Sequence, residues 1–404
     1  MKRTRNALTA FLSLAAAIAL APRTSVATVY SWADVARVAA NEAPSTTAAR
    51  ARTEVTRRGE NVAGMIPNPT VVLGSYVETS RLYAAFSMPL PIWGQIGLAR
   101  DAARGRTDEA AANERVTRVD AALAALSSWT DVWLAHSTVR AAAENAARLE
   151  TLSRAIDELV AAGQRPRMDA LGTHAELEAA RADEVTARRA LVAARVQLAA
   201  RLGISPRSDD DLPDVAGDPP AIGASDATSG THSPAVDALD ARARAAAADV
   251  RLEQRLRIPT PTLMFGSYLF RASNTPTDFF VGLGFELPIF NQRGPIIDAA
   301  RAREAAAHAE SDALAFQLRA DARAAAEVLA AAASRANTLN TVVVPAASEA
   351  ADLADESYRA GRLDLAGLLA AEQRRLAARV RADQSVAERT RAWIALARAT
   401  GAVR

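Results

Sequence analysis

The sequence predicts a mainly α fold with a transmembrane β-barrel portion, built from a duplicated helix–β-hairpin–long helix–helix repeat. Three observations carry this. Alanine dominates the apolar residues, which favours long, closely packed helices. In one short stretch Phe279, Val281, Leu283, Phe285 and Leu287 alternate strictly with Phe280, Gly282, Gly284 and Glu286, and a second, from Phe86 to Arg104, follows nearly the same plan. Each stretch then runs into a helical pattern far longer than a globular helix.

The chain has 404 residues and no cysteine. Residues 1–27 have a basic start (Lys2, Arg3, Arg5), an apolar run from Ala7 to Leu20 and a small-residue site at Ser25-Val26-Ala27. That pattern predicts a cleaved signal peptide, with a buried N-terminal helix as the alternative. Export without cysteine means no disulfide and no N-terminal lipid anchor. The leader's four basic residues and no acids leave 44 basic against 46 acidic residues, so the mature chain is near neutral. Such a balance gives no reason to expect nucleic acid as a partner.

The first repeat is expected over 28–203. A helix from Trp32 to about Met65, with possible kinks at Pro44 and Gly59, precedes a hairpin over 68–91. A long helix follows over 95–162, then a tip over 162–167 and a return helix over 168–203. Residues 204–233, rich in Pro, Gly, Asp and Ser, form the linker. The second repeat, 234–404, places its hairpin at 260–288, its long helix at 295–360, its tip at 360–365 and its return helix at 366–401. Pro91 and Gly94, and Pro288, Asn291 and Gly294, form the elbows between strands and helices.

Internal arithmetic supports duplication. PTVVLGSY at Pro69 returns as PTLMFGSY at Pro261, an offset of 192; Pro91 and Pro288 stand 197 apart; Gly163 and Gly361 stand 198 apart. The second hairpin therefore holds five extra residues, and only one more is gained before the tip. The stretches 68–93 and 260–290 also hold 11 of the 19 aromatic residues. Short strands, apolar on one face and with aromatics near their ends, carry the outer-membrane barrel pattern. Four strands leave two open edges and are too few to close a barrel, so several chains must contribute.

These features resemble the TolC-type outer membrane efflux protein family over essentially the whole mature chain. The most specific stretches are VGLGFELPIFNQRGPI, beginning at Val281, and YRAGRLDLAGLLAAEQ, Tyr358 to Gln373. LPIFNQRG is most similar to the branch serving cation and heavy-metal efflux pumps. The resemblance implies a homotrimeric α/β-barrel tunnel in the outer membrane of a Gram-negative bacterium, extending into the periplasm. It also implies a periplasmic adaptor and an inner-membrane pump of the resistance-nodulation-division type as partners, with no cofactor.

In that family the turns at the inner end dock the adaptor. The matching positions are Ala162, Gly163, Gln164 and Arg165, and Ala360, Gly361, Arg362 and Leu363. Family members often constrict the entrance with aspartates six and nine residues after the second tip glycine. Here those places hold Gly367 and Ala370, so an acidic constriction would fall to Asp169, Asp364 or Glu372. Gly282, Gly284 and Glu286 would line the barrel lumen, while Val281, Leu283, Phe285 and Leu287 would meet lipid.

No catalytic set stands out. His136, His174, His232 and His308 are scattered, the methionines do not cluster, and Gly282-Leu283-Gly284 lies inside a strand pattern, not a phosphate loop. No enzyme activity or bound metal is expected. A soluble periplasmic coiled-coil scaffold or adaptor is the competing reading; it shares the helices but needs no aromatic-banded hairpins.

Overall fold

The computed structural model describes residues 28–76, 81–220, 233–270 and 279–402. The leader, the linker stretch 221–232 and the hairpin turns at 77–80 and 271–278 lie outside these. β1 (Val29–Tyr30) leads into α1 (Trp32–Glu42) and α2 (Pro44–Ala63). Proline at N1 of α2 forces the break at Ala43, whereas Gly59 sits in unbroken helix. Ser31 caps α1 by accepting from the Asp34 N–H at 3.2 Å.

β2 (Thr70–Tyr76) and β3 (Arg81–Pro89) form the first hairpin, then α3 (Gln95–Ala161) runs unbroken for 67 residues, about 100 Å at ~1.5 Å per residue. α4 (Arg167–Leu202) returns antiparallel to it and stops at Gly203, φ +73°. The repeat restarts with α5 (Pro234–Arg255), β5 (Pro261–Phe270) and β6 (Phe279–Phe285). The second long helix is α6 (Gly294–Thr338) continued by α7 (Val344–Arg359), and α8 (Leu365–Thr400) returns. Between α6 and α7 lies one π-turn, Leu339–Val343, where the Val344 N–H reaches back to the Leu339 carbonyl. Pro345 has no N–H, and its ring would collide with the carbonyl four residues earlier; widening this turn relieves both problems. The turn is thus a bulge inside a continuous helix.

The four long strands make one antiparallel sheet in the order β2-β3-β5-β6, with β3 and β5 joining the hairpins and β2 and β6 left as edges. Strand β6 ends at Phe285, paired with Pro261, so Glu286 lies just past the strand and not within it. Pairing runs out there because Pro261 has no N–H to donate.

Helix packing changes along the molecule. Near the sheet it is small-residue packing: a Cβ added to Gly105 of α3 would sit 2.9 Å from Ala245 Cα of α5. Midway along α3 a denser core gathers Leu123, Leu126, Trp129 and Val132 with Val35, Leu198, Leu329 and Trp393. Trp32 meets Trp129 edge-on, ring centres 5.3 Å apart, and Trp393 at 6.0 Å. The tryptophans that build this core stand far apart in the chain.

The linker is also more ordered than its composition suggests. Asp209–Asp211 form a 3₁₀ turn and β4 (Asp214–Val215) pairs in parallel with β1. Asp214 is the hub. Its N–H donates to the Thr28 carbonyl at 3.1 Å, and its carboxylate accepts from the Val215 N–H, meets His136 Nε2 at 2.5 Å and pairs with Arg195. Burial pushes the Asp214 carboxyl up, but the His136 contact, the Val215 N–H and the His136 and Arg195 charges outweigh it and hold it below its ordinary value. A depressed carboxyl stabilises the fold above its unfolded-state value, and that stabilisation is lost as pH falls through the folded-state value. Amide exchange at Asp214 and Ala216 is therefore expected to accelerate below about pH 4, the ordinary carboxylate range. Asp214→Asn should exchange fast at neutral pH and lack this acid step; an unchanged acid step in that variant would remove Asp214 from the account.

Candidate functional site: the helical tips and the two faces of the sheet

The tips form as a matched pair. In the first, the Gly163 N–H donates to the Val160 carbonyl and the Gln164 N–H to the Leu159 carbonyl; in the second, Gly361 donates to Tyr358 and Arg362 to Ser357. These are the two bonds of a Schellman motif, and both glycines take the left-handed conformation it needs, φ +72° and +69°. Ala162, Gly163, Gln164, Ala360, Gly361 and Arg362 are exposed, so six of the eight expected docking positions are open to a partner.

Arg165 and Leu363 are partly buried instead. Arg165 ties one tip to the other: its guanidinium lies 4.5 Å from the centre of the Tyr358 ring and its Nη2 donates to the Tyr358 carbonyl at 3.3 Å. Tyr358 is buried, and its hydroxyl has no hydrogen-bond partner among the described residues. Burial pushes its phenol up; the Arg165 charge opposes this and Asp169 adds to it. The sequence places Tyr358 at the start of the second tip segment, and the fold brings it under Arg165 of the first.

The three carboxylates expected at the entrance have different settings. Asp364 caps α8, its Oδ1 accepting from the Gly367 N–H at 2.9 Å. Glu372 pairs with Arg375 on the same helix. Asp169 stands in the first turn of α4, close enough to Tyr358 for its charge to act there. A groove of about 830 Å³ runs beside the tips, lined by Leu149, Leu152, Leu159, Arg148, Tyr358 and Leu368.

At the other end the elbows fasten sheet to helices. Gly94, φ +80°, caps α3, and Trp93 donates its indole N–H to the Pro259 carbonyl at 3.1 Å, tying the first elbow to the second repeat. In the second elbow the left-handed residue is Arg293, φ +59°, and Gly294 is already helical. That correction has a local cause: Asn291 Oδ1 accepts from the Arg293 N–H at 3.0 Å, and the Arg293 guanidinium holds Glu253 of α5 at 2.5 Å. Pro91 and Pro288 precede these turns, just beyond the strands.

Register sorts the sheet into two faces. Paired residues share a face, so Val71, Leu73, Phe86, Leu263, Phe265, Phe279, Val281, Leu283 and Phe285 lie together. Thr70, Gly74, Tyr83, Ser87, Thr262, Gly266, Phe280, Gly282 and Gly284 lie on the other. The first face is almost wholly apolar yet exposed, with Val281 72 % and Leu73 68 % accessible. No described helix is long and apolar enough to cross a membrane. Among the described residues no cluster of His, Asp and Glu has the arrangement of a metal site.

A long helical body with paired glycine tips at one end and an open, one-sidedly apolar sheet at the other defines the architecture of the chain. Solved outer membrane proteins share this fold. VceC from Vibrio cholerae superposes with a TM-score of 0.75 at 18% identity, covering 92% of this chain and 96% of its own. CmeC from Campylobacter jejuni gives 0.74 at 13%, covering 92% and 85%. The open state of MtrE from Neisseria gonorrhoeae gives 0.71 at 17%, covering 94% and 93%. At these identities the likeness is one of fold. On sequence, residues 35–204 match the family model of the outer membrane efflux proteins. The likeness to TolC-type outer membrane efflux proteins thus stands on sequence in the first repeat and on fold throughout. No curated protein matches the sequence.

Proposed function

We propose that this chain is one protomer of a homotrimeric outer membrane channel, the passive trans-periplasmic conduit of a tripartite efflux system. The observation that carries the reading is the sheet: four strands, two free edges, and an exposed apolar face. Three copies supply twelve strands, which closes the edges and turns the apolar face to lipid. The helices then continue the wall through the periplasm, and the tips meet a periplasmic adaptor and an inner-membrane pump. The pump spends the energy, and small molecules or metal cations pass through this component without tight binding.

Opening at the inner end is a rearrangement of helix tips, biased by adaptor contact. The Arg165–Tyr358 contact bears on it, because it couples the two tips of one protomer and must move with both. Membrane fractionation tests the whole reading: the mature chain should require detergent and run as a trimer, and recovery in the soluble periplasmic fraction would sink it. For the docking surface, Gly361→Glu with Arg362→Glu should abolish adaptor capture by a photo-crosslinker placed at Gln164. Undiminished capture would move the docking surface away from the tips.

A further inference from the structure

The face opposite the apolar one carries small and polar residues together with Val72, Met264 and, by register, Tyr76 and Tyr268, and two aromatic–glycine pairs on it are built alike. Tyr83 on β3 is paired directly with Gly74 on β2, and Phe280 on β6 directly with Gly266 on β5. In each pair the aromatic ring lies across the glycine. A Cβ built on Gly74 would fall 2.6 Å from Tyr83 Cε1 and 2.7 Å from its Oη, and one built on Gly266 would collide with the Phe280 ring. Each ring therefore occupies space that any other residue on the partner strand would fill.

The duplication makes this more than an accident of packing. Gly74 and Gly266 stand at the 192 offset of the hairpins' first strands, and Tyr83 and Phe280 at the 197 offset of their second. Both repeats thus carry a glycine seat and an aromatic ring on the same face, near the hairpin turns. Met264 lies on this face too, and its Cε would be 3.4 Å from a Cβ on Gly284. Phe280 is 40 % exposed where it stands.

We propose that Tyr83 and Phe280 form an aromatic girdle in the barrel lumen near its outer mouth, a weak stacking site for planar organic cargo, above all planar cations. The inference rests on the trimeric channel reading, which makes this face the lumen and multiplies the two rings to six. The chemistry is that of ring faces: they attract flat apolar molecules by stacking and organic cations through the ring quadrupole, while a strongly hydrated metal ion gains little. Seating the rings on glycine keeps them against the wall, so the girdle adds π-surface without closing the path. Weak binding suits a conduit, since cargo must leave as readily as it enters.

The test is current block in planar lipid bilayers. Purified trimer carries potassium current while ethidium, a planar aromatic cation, or tetrabutylammonium, a bulky non-aromatic one, is added from the hairpin-turn side. Wild type should be half-blocked by ethidium at a concentration about tenfold below that of tetrabutylammonium. Tyr83→Leu with Phe280→Leu should bring the two blockers to parity, and Tyr83→Phe should keep the preference. Equal block in wild type, which needs no variant to fold, overturns the girdle. So does a preference that survives in the leucine variant. If the double variant does not assemble, Phe280→Leu alone should cut the preference about threefold, and no change there overturns the proposal as well. Absence of any wild-type current overturns the channel reading and this inference with it, whereas normal current without aromatic preference removes only the girdle.

Discussion

Replacing Leu283 with arginine is expected to abolish the outer membrane trimer, whereas arginine at the adjacent Gly284 leaves the trimer intact and changes conduction. Leu283 is 60 % exposed and lies with Val281, Phe285, Phe265 and Leu73 on the apolar face. A charge there would meet hydrocarbon, at a cost of roughly 2–4 kcal/mol near the bilayer midplane. In the proposed trimer the change recurs three times, so the total would approach the whole stability of an ordinary domain. Gly284 looks the other way, where the nearest neighbour of an added Cβ is the flexible end of Met264. In the proposed trimer an arginine side chain would extend from there into the lumen and add three positive charges to the path. Heat-modifiable trimer in the outer membrane fraction reads the first effect, and single-channel conductance with its ion selectivity reads the second. Equal insertion of both variants would mean that the two faces have been assigned the wrong way round.

Trp129→Ala should destabilise the helical body by about 3–5 kcal/mol, the range for removing a large buried aromatic. Trp129 is fully buried, Trp32 packs edge-on against it, and its indole N–H donates to the Tyr30 carbonyl at 3.1 Å. The substitution therefore empties the core and also releases β1, whose backbone lies between the indole and β4. Denaturant unfolding of the detergent-solubilised chain, followed by tryptophan fluorescence, measures the loss. Amide exchange at Asp214 and Ala216 should rise in the same variant. A midpoint within experimental error of wild type would show that the belt does not hold the body together. Trp93→Phe, which keeps a ring but loses the hydrogen bond at the elbow, is the comparison, and its effect should be far smaller.

Much of this architecture is legible in the chain because its signals are local or repeated. Alternation fixes the facing of Leu283 and Gly284, glycine marks both tips, and the offsets expose the duplication before any strand is paired. The register then places Gly282 and Gly284 on the face opposite the apolar one, as the alternation predicts. What stays hidden is long-range. Asp214 in a Pro/Gly-rich linker gives no hint that it pairs with His136 and Arg195. The tryptophan belt joins residues more than three hundred positions apart, from Trp32 to Trp393. Arg165 reads as an exposed docking residue until the fold brings Tyr358 beneath it. The left-handed elbow residue is Arg293 and not Gly294, because a neighbouring asparagine and a glutamate on another helix hold it there.

The π-turn at Leu339–Val343 explains how the duplicated halves stay level. Sixty-two positions separate Asp101 from Gly163, but sixty-three separate Asp298 from Gly361. In an ordinary helix one inserted residue rotates everything beyond it by about 100°, which would turn the apolar stripe of α7 away from α8 and lift one tip past the other. A single widened turn absorbs the surplus locally. Buried Ala351 and Tyr358 keep their orientation, and the two Schellman tips finish with the same bonds. The extra residue is thus a scar of the divergence between two once-identical halves, confined to one turn so that both tips still finish alike.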